Sequence, residues 1–72
     1  MASPSEAHAL VIAEGAVDRC CGRRRFQNPY NATLLPLAHG LWMAGWERAD
    51  ELLAVIARRE MARIVKREER AA

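Results

Sequence analysis

The sequence predicts an all-α fold: a small two-helix hairpin with an irregular connector and an extended C-terminal helix. Three observations carry that prediction. Ser3-Pro4-Ser5-Glu6 has the form of a helix start, Pro36 opens a second periodic segment that no glycine or proline interrupts after Gly45, and a stretch rich in turn formers separates the two.

The first helix is expected from Pro4 to Cys21. The Ser3 hydroxyl caps a free backbone N–H, Pro4 suits the first helical position and Glu6 reaches back toward the cap. Ala7, Leu10, Val11, Val17 and Cys21 follow at helical spacings, and Gly22 is the natural stop. Gly15 sits inside this helix, where it costs about 1 kcal/mol relative to alanine, so its use points to the close approach of another backbone.

From Gly22 to Leu35 the pattern turns irregular. Asn28-Pro29 disfavours helix before the proline, and Asn31 is a further turn former. Pro36 then opens the second helix, with Leu37, Leu41, Trp42, Gly45, Ala49, Leu52, Leu53 and Ile56 along one broad side. The two helices are expected to pack through Leu10, Val17, Trp42, Gly45, Ala49 and Leu53. A continuous helix from Pro36 to about Glu69 extends for roughly 50 Å, well past the reach of the first helix. The C-terminal extension, about 57–72, therefore frays, or is covered by a second copy of the chain or by another protein.

At 72 residues the chain is a single small helical domain, 1–72, near the lower size limit for folding alone. The hydrophobic fraction of 51% is partly an alanine effect, and two Trp, one Tyr and one Phe are the large anchors, so the core is thin. Charged residues form 28% of the chain yet leave a net of only +2, which argues against a histone-like coat for nucleic acid. Basic contacts have to come from local clusters.

Cys20 and Cys21 are adjacent, a poor geometry for bridging to each other, and read as reduced thiols, one buried and one exposed. With His8 and His39 they offer zinc-ligand types without zinc-ligand spacing, so no metal and no cofactor is expected. The sequence shows neither a signal peptide nor a membrane span, and a cytoplasmic location with no membrane partner is expected.

Arg19, Arg23, Arg24 and Arg25 concentrate positive charge at the end of the first helix and the start of the connector. Guanidinium groups bind phosphate in a bidentate manner, and Tyr30 lies close in sequence as a ring on which a base can stack. Arg23, Arg24, Arg25 and Tyr30 are thus the candidate RNA-binding residues. The alternative is that the arginines favour the negative end of the helix and stay solvated. Trp42 and Trp46, four residues apart, are first needed for the core. The interleaved basic and acidic C-terminal run reads as a solvated helical face, with an RNA-facing or dimer-forming extension as the alternative.

Two linked signatures carry a resemblance to a known family. Gly15 is followed by Gly22-Arg23 and then Asn28-Pro29-Tyr30, and Trp42-Met43-Ala44-Gly45-Trp46 supplies a Trp-x-x-Gly-Trp helix. Across about residues 14–49 this order resembles the bacterial ribosome modulation factors, a family that includes small proteins named for ciprofloxacin resistance. The resemblance marks Gly15, Gly22, Pro29, Trp42, Gly45 and Trp46 as motif residues with a structural role. It implies two helices joined by a structured linker, and non-catalytic binding to the ribosome or its rRNA that represses translation in slow growth and stress.

Three departures accompany the likeness: a basic N-terminal tail is absent, the connector between Tyr30 and Trp42 is slightly longer, and the segment after Ala49 is extended. The ciprofloxacin branch has been described as antibiotic-modifying. This sequence has no glycine-rich phosphate loop, no metal-holding acidic pair and no nucleophile with an evident base, so no catalytic residue and no enzyme activity is expected. A helical interaction module, pairing as a homodimer through the C-terminal helix without binding RNA, is the alternative.

Overall fold

A computed structural model of the chain describes residues 4–71. The fold is all-α: α1 (Pro4–Cys20), a single 3-10 turn at Arg25–Gln27 and α2 (Pro36–Ala71), with no strand among the described residues. The expected cap by Ser3 lies outside the described residues. Both helix starts fall at the prolines read from the sequence.

Gly22 ends α1 one residue earlier than expected. Its φ of +89° lies in the left-handed region that glycine enters without steric cost. This reversal lets the Arg23 N–H donate to the Asp18 carbonyl at 2.9 Å and the Gly22 N–H donate to the Arg19 carbonyl at 3.1 Å. Two carbonyls left open by the helix end are thereby satisfied in the Schellman pattern.

Asparagine side chains organise the connector. Asn31 Oδ1 accepts from the backbone N–H groups of Thr33 (2.8 Å) and Leu34 (3.1 Å), and the Asn31 carbonyl accepts from Leu35 N–H at 2.7 Å, just ahead of Pro36. Asn28 Oδ1 accepts from Tyr30 N–H at 2.9 Å while its Nδ2 donates to the His39 carbonyl at 3.0 Å. His39 Nδ1 lies 2.9 Å from the Tyr30 carbonyl, an acceptor only, so this nitrogen carries the proton. The Asn-Pro-Tyr segment is in this way tied to the first turns of α2.

The helices meet at Gly15 and Gly45. A Cβ built on Gly15 would fall on the Trp42 carbonyl oxygen, and one built on Gly45 would fall on the Ile12 carbonyl oxygen. Backbone therefore lies against backbone, as the intrahelical Gly15 suggested. Trp42 is fully buried and Ala49 nearly so, while Leu53 is half-buried.

Two expected core positions differ. Leu10 is 67% exposed and Val17 59% exposed, because α1 turns Val11, Gly15, Ala16, Asp18 and Arg19 toward α2 instead. A helix face chosen for close backbone approach has to be centred on its smallest residue, and Leu10 and Val17, about 140° and 160° around the helix from Gly15, then fall on the outer side. Both Cys20 and Cys21 are exposed, which corrects the expectation of one buried thiol. They lie at the open end of α1, where no residue of α2 covers them.

Beyond α1 the second helix continues alone. Residues 56–71 are all exposed, and the molecule reaches 58 Å along its longest axis. Among the described residues no helix is long and apolar enough to cross a membrane.

Candidate nucleic-acid interface

The turn after α1 throws the arginines onto one side of the hairpin. Arg19, Arg23, Arg24 and Arg25 line a shallow, open concavity with Gly22, Phe26, Trp46 and Asp50. Its floor is the Trp46 indole, whose Nε1 donates to the Arg23 carbonyl at 2.8 Å. The Arg19 guanidinium stands over the same ring, 5.5 Å from its centroid, within cation-π range. Trp46 therefore holds the connector and the last turn of α1 at once. The side it shares with Trp42 in sequence divides in space, Trp42 going into the core and Trp46 to its half-buried rim.

Three carboxylates stand among these cations. Arg19 Nε donates to Asp50 Oδ1 at 2.8 Å, Arg25 Nη2 pairs with Glu47 at 2.7 Å, and Arg23 Nε lies 3.8 Å from Asp18. Arg25 and Glu47 are largely exposed, so this pair contributes about 0 to 1 kcal/mol and exchanges readily for another anion. Arg24 makes no ion pair among the described residues. Its backbone N–H instead closes the connector's turn by donating to Gln27 Oε1 at 2.7 Å.

Phe26, expected from the sequence as one of the few large anchors of the core, stays outside it. It is 81% exposed and lines both the arginine concavity and a neighbouring one formed with Arg25, Asn28, His39 and Met43. A single phenylalanine directly after three arginines, in a connector with no apolar periodicity, has no core to enter. That context was the available signal.

Tyr30 stands apart from the arginines. It lines neither concavity, and its hydroxyl donates to Glu14 Oε2 of α1 at 2.6 Å. The carboxylate that accepts this bond raises the tyrosine pKa above its ordinary 10.0, with partial desolvation and the charges of Glu14 and Asp18 acting in the same direction. The four candidate RNA-binding residues thus form one cluster of three arginines and one separate ring. Of the six motif residues, Gly15, Trp42 and Gly45 make the helix crossing, Gly22 makes the turn, Trp46 floors the concavity and Pro29 lies in the asparagine-tied connector.

No group of three His, Cys, Asp or Glu side chains suited to a metal occurs among the described residues. No protein-family model matches the chain, and neither does any curated protein or solved structure.

Proposed function

We propose that this chain binds RNA without catalysing a reaction, acting on the ribosome as a modulator of translation in slow growth. The observation that carries this reading is the gathering of Arg23, Arg24 and Arg25 around an exposed phenylalanine and a tryptophan floor. Phosphate needs guanidinium donors held at a surface, and an unstacked base needs a ring face left open to water. Of these three arginines, Arg24 has no acidic partner among the described residues, and Phe26 is the open ring.

The ordered paired signatures of Gly15, Gly22-Arg23, Asn28-Pro29-Tyr30 and Trp42 to Trp46 support the ribosomal setting, through their resemblance to the ribosome modulation factors. Tyr30 enters this proposal as the residue that fixes the connector to α1, with its ring as a secondary stacking face.

Co-sedimentation with ribosomes from starved and growing cells, at low and moderate salt, tests the proposal. Binding that weakens as salt rises is the expected result, because released counterions contribute to it. Equal recovery in the unbound fraction at every salt concentration and in both growth states would overturn it.

A further inference from the structure

The long second helix carries two seams with seven-residue spacing, and they have opposite fates. The first runs through Trp42, Gly45, Ala49, Leu52 and Ile56, and α1 covers its beginning. Continued at the same spacing it becomes Arg59, Arg63, Lys66 and Arg70, of which the last three line one open basic surface with Arg67. The second seam lies about 150° around the helix, nearly opposite the first. It reads Ala54, Ala57, Met61, Ile64, Glu68 and Ala71, alternating steps of three and four as a helix-pairing seam requires. All six residues are exposed, with Met61 at 59% and Ile64 at 45%.

We propose that this second seam pairs with the same seam of a second copy of the chain, the two helices running antiparallel. The charges choose both the occupant and the direction. In a parallel pair Glu68 would face its own copy across the seam, two carboxylates in an apolar interface. In an antiparallel two-fold pair, residue i meets j and j meets i. Placing Met61 opposite Ile64 of the second copy sets Ala57 opposite Glu68, where the small side chain leaves room for the carboxylate. The same register brings Glu68 beside Arg58 and Glu60 beside Arg67, each pair occurring twice by symmetry. Glu60 already holds Arg63 of its own chain at 3.1 Å, so it stands on the flank between two cations.

The basic stripe Arg59, Arg63, Lys66 and Arg70 faces away from this seam. A dimer so built presents two outward basic surfaces and two arginine concavities. Pairing rests on the α2 seam alone and is independent of RNA binding.

Sedimentation equilibrium of the full chain without nucleic acid, from micromolar to millimolar concentration, tests the proposal. A reversible monomer-dimer equilibrium is expected. Ile64→Lys should raise the dimer dissociation constant at least about tenfold while leaving the far-ultraviolet spectrum unchanged. Glu60→Arg and Arg67→Glu should each weaken pairing, and the double exchange should restore it. In a Cys20→Ser, Cys21→Ser background, mixing Ala57→Cys chains with Glu68→Cys chains should give the mixed cross-link in preference to either like pair. A monomer at every concentration, like-pair cross-links alone, or failure of the double exchange to restore pairing would each overturn it.

Discussion

The Trp42 indole Nε1 donates to Asp18 Oδ2 at 2.9 Å, so the largest fully buried side chain is pinned to α1 by its one polar atom. Asp18 is itself mostly covered, at 19% side-chain exposure, and its remaining charged neighbour is Arg23 at 3.8 Å. Burying an indole in so small a core requires an acceptor on the facing helix, and a carboxylate makes a charge-assisted one. The contact between the helices is therefore apolar at its centre, with this charge-assisted bond at Asp18 and the Arg19–Asp50 ion pair beside it.

Trp42→Ala should lower stability by about 3 to 5 kcal/mol, the ordinary cost of emptying a buried aromatic site. Asp18→Ala, which keeps the ring and removes its acceptor, should cost about 1 to 3 kcal/mol. Urea unfolding followed by circular dichroism measures both. An unchanged midpoint for Asp18→Ala would show that the bond contributes nothing to the hairpin.

The glycines give changes of opposite sign. Gly15→Ala and Gly45→Ala each force a methyl group onto a facing carbonyl and should destabilise by about 1 to 3 kcal/mol through overpacking. Gly40 lies in the same helix as Gly45 with nothing within 4 Å of a built Cβ. Gly40→Ala should raise stability by about 0.4 to 1 kcal/mol, since it removes backbone freedom from the unfolded chain. Thermal unfolding midpoints of the three variants separate the two cases.

Tyr30 predicts a pH dependence in the alkaline range. Its pKa is raised by the bond to Glu14, so the folded chain holds the phenolic proton more tightly than the unfolded chain does. The stability this provides is fully present below the ordinary value of 10.0 and is lost as pH rises through the raised one. Because Tyr30 is the single tyrosine, an absorbance titration reports it directly, and Glu14→Gln should bring its midpoint back toward 10.0. Identical titrations for wild type and variant would break the assignment of Glu14 as the cause.

For binding, Arg24→Gln should have the largest single effect among the three turn arginines, since Arg23 and Arg25 already face carboxylates. The triple Arg23→Gln, Arg24→Gln, Arg25→Gln variant should weaken RNA association and flatten its salt dependence, with helicity retained. Filter binding to single-stranded RNA across a salt series checks this. Equal affinity of the folded triple variant at all salt concentrations would move the leading binding candidate to the basic stripe of α2.

Phe26→Ala should leave the unfolding midpoint within about 0.5 kcal/mol, because an exposed ring contributes little to the core. RNA affinity should fall by about 1 to 3 kcal/mol if a base stacks there. A loss of stability with unchanged affinity would reassign the ring to packing.

Helix limits were readable from the sequence because local chemistry sets them. Pro4 and Pro36 fix first-turn geometry, Gly22 supplies the positive φ that closes α1, and the asparagines of the connector satisfy backbone groups two to four residues away. The Gly15 contact was readable for a related reason: a costly residue inside a helix implies something close beside it. The tertiary structure alone decided which face of α1 packs, since Val11, Gly15 and Asp18 turn inward only when Gly45 and the Trp42 indole stand opposite. It also decided how the arginines are partnered. Arg19 meets Asp50 and Arg25 meets Glu47 across separations that no helical period spans, while Tyr30, close to the arginines in sequence, is carried to Glu14. Local rules act over a turn or two of backbone, whereas the partners of these charged and aromatic groups are set by where two helices cross.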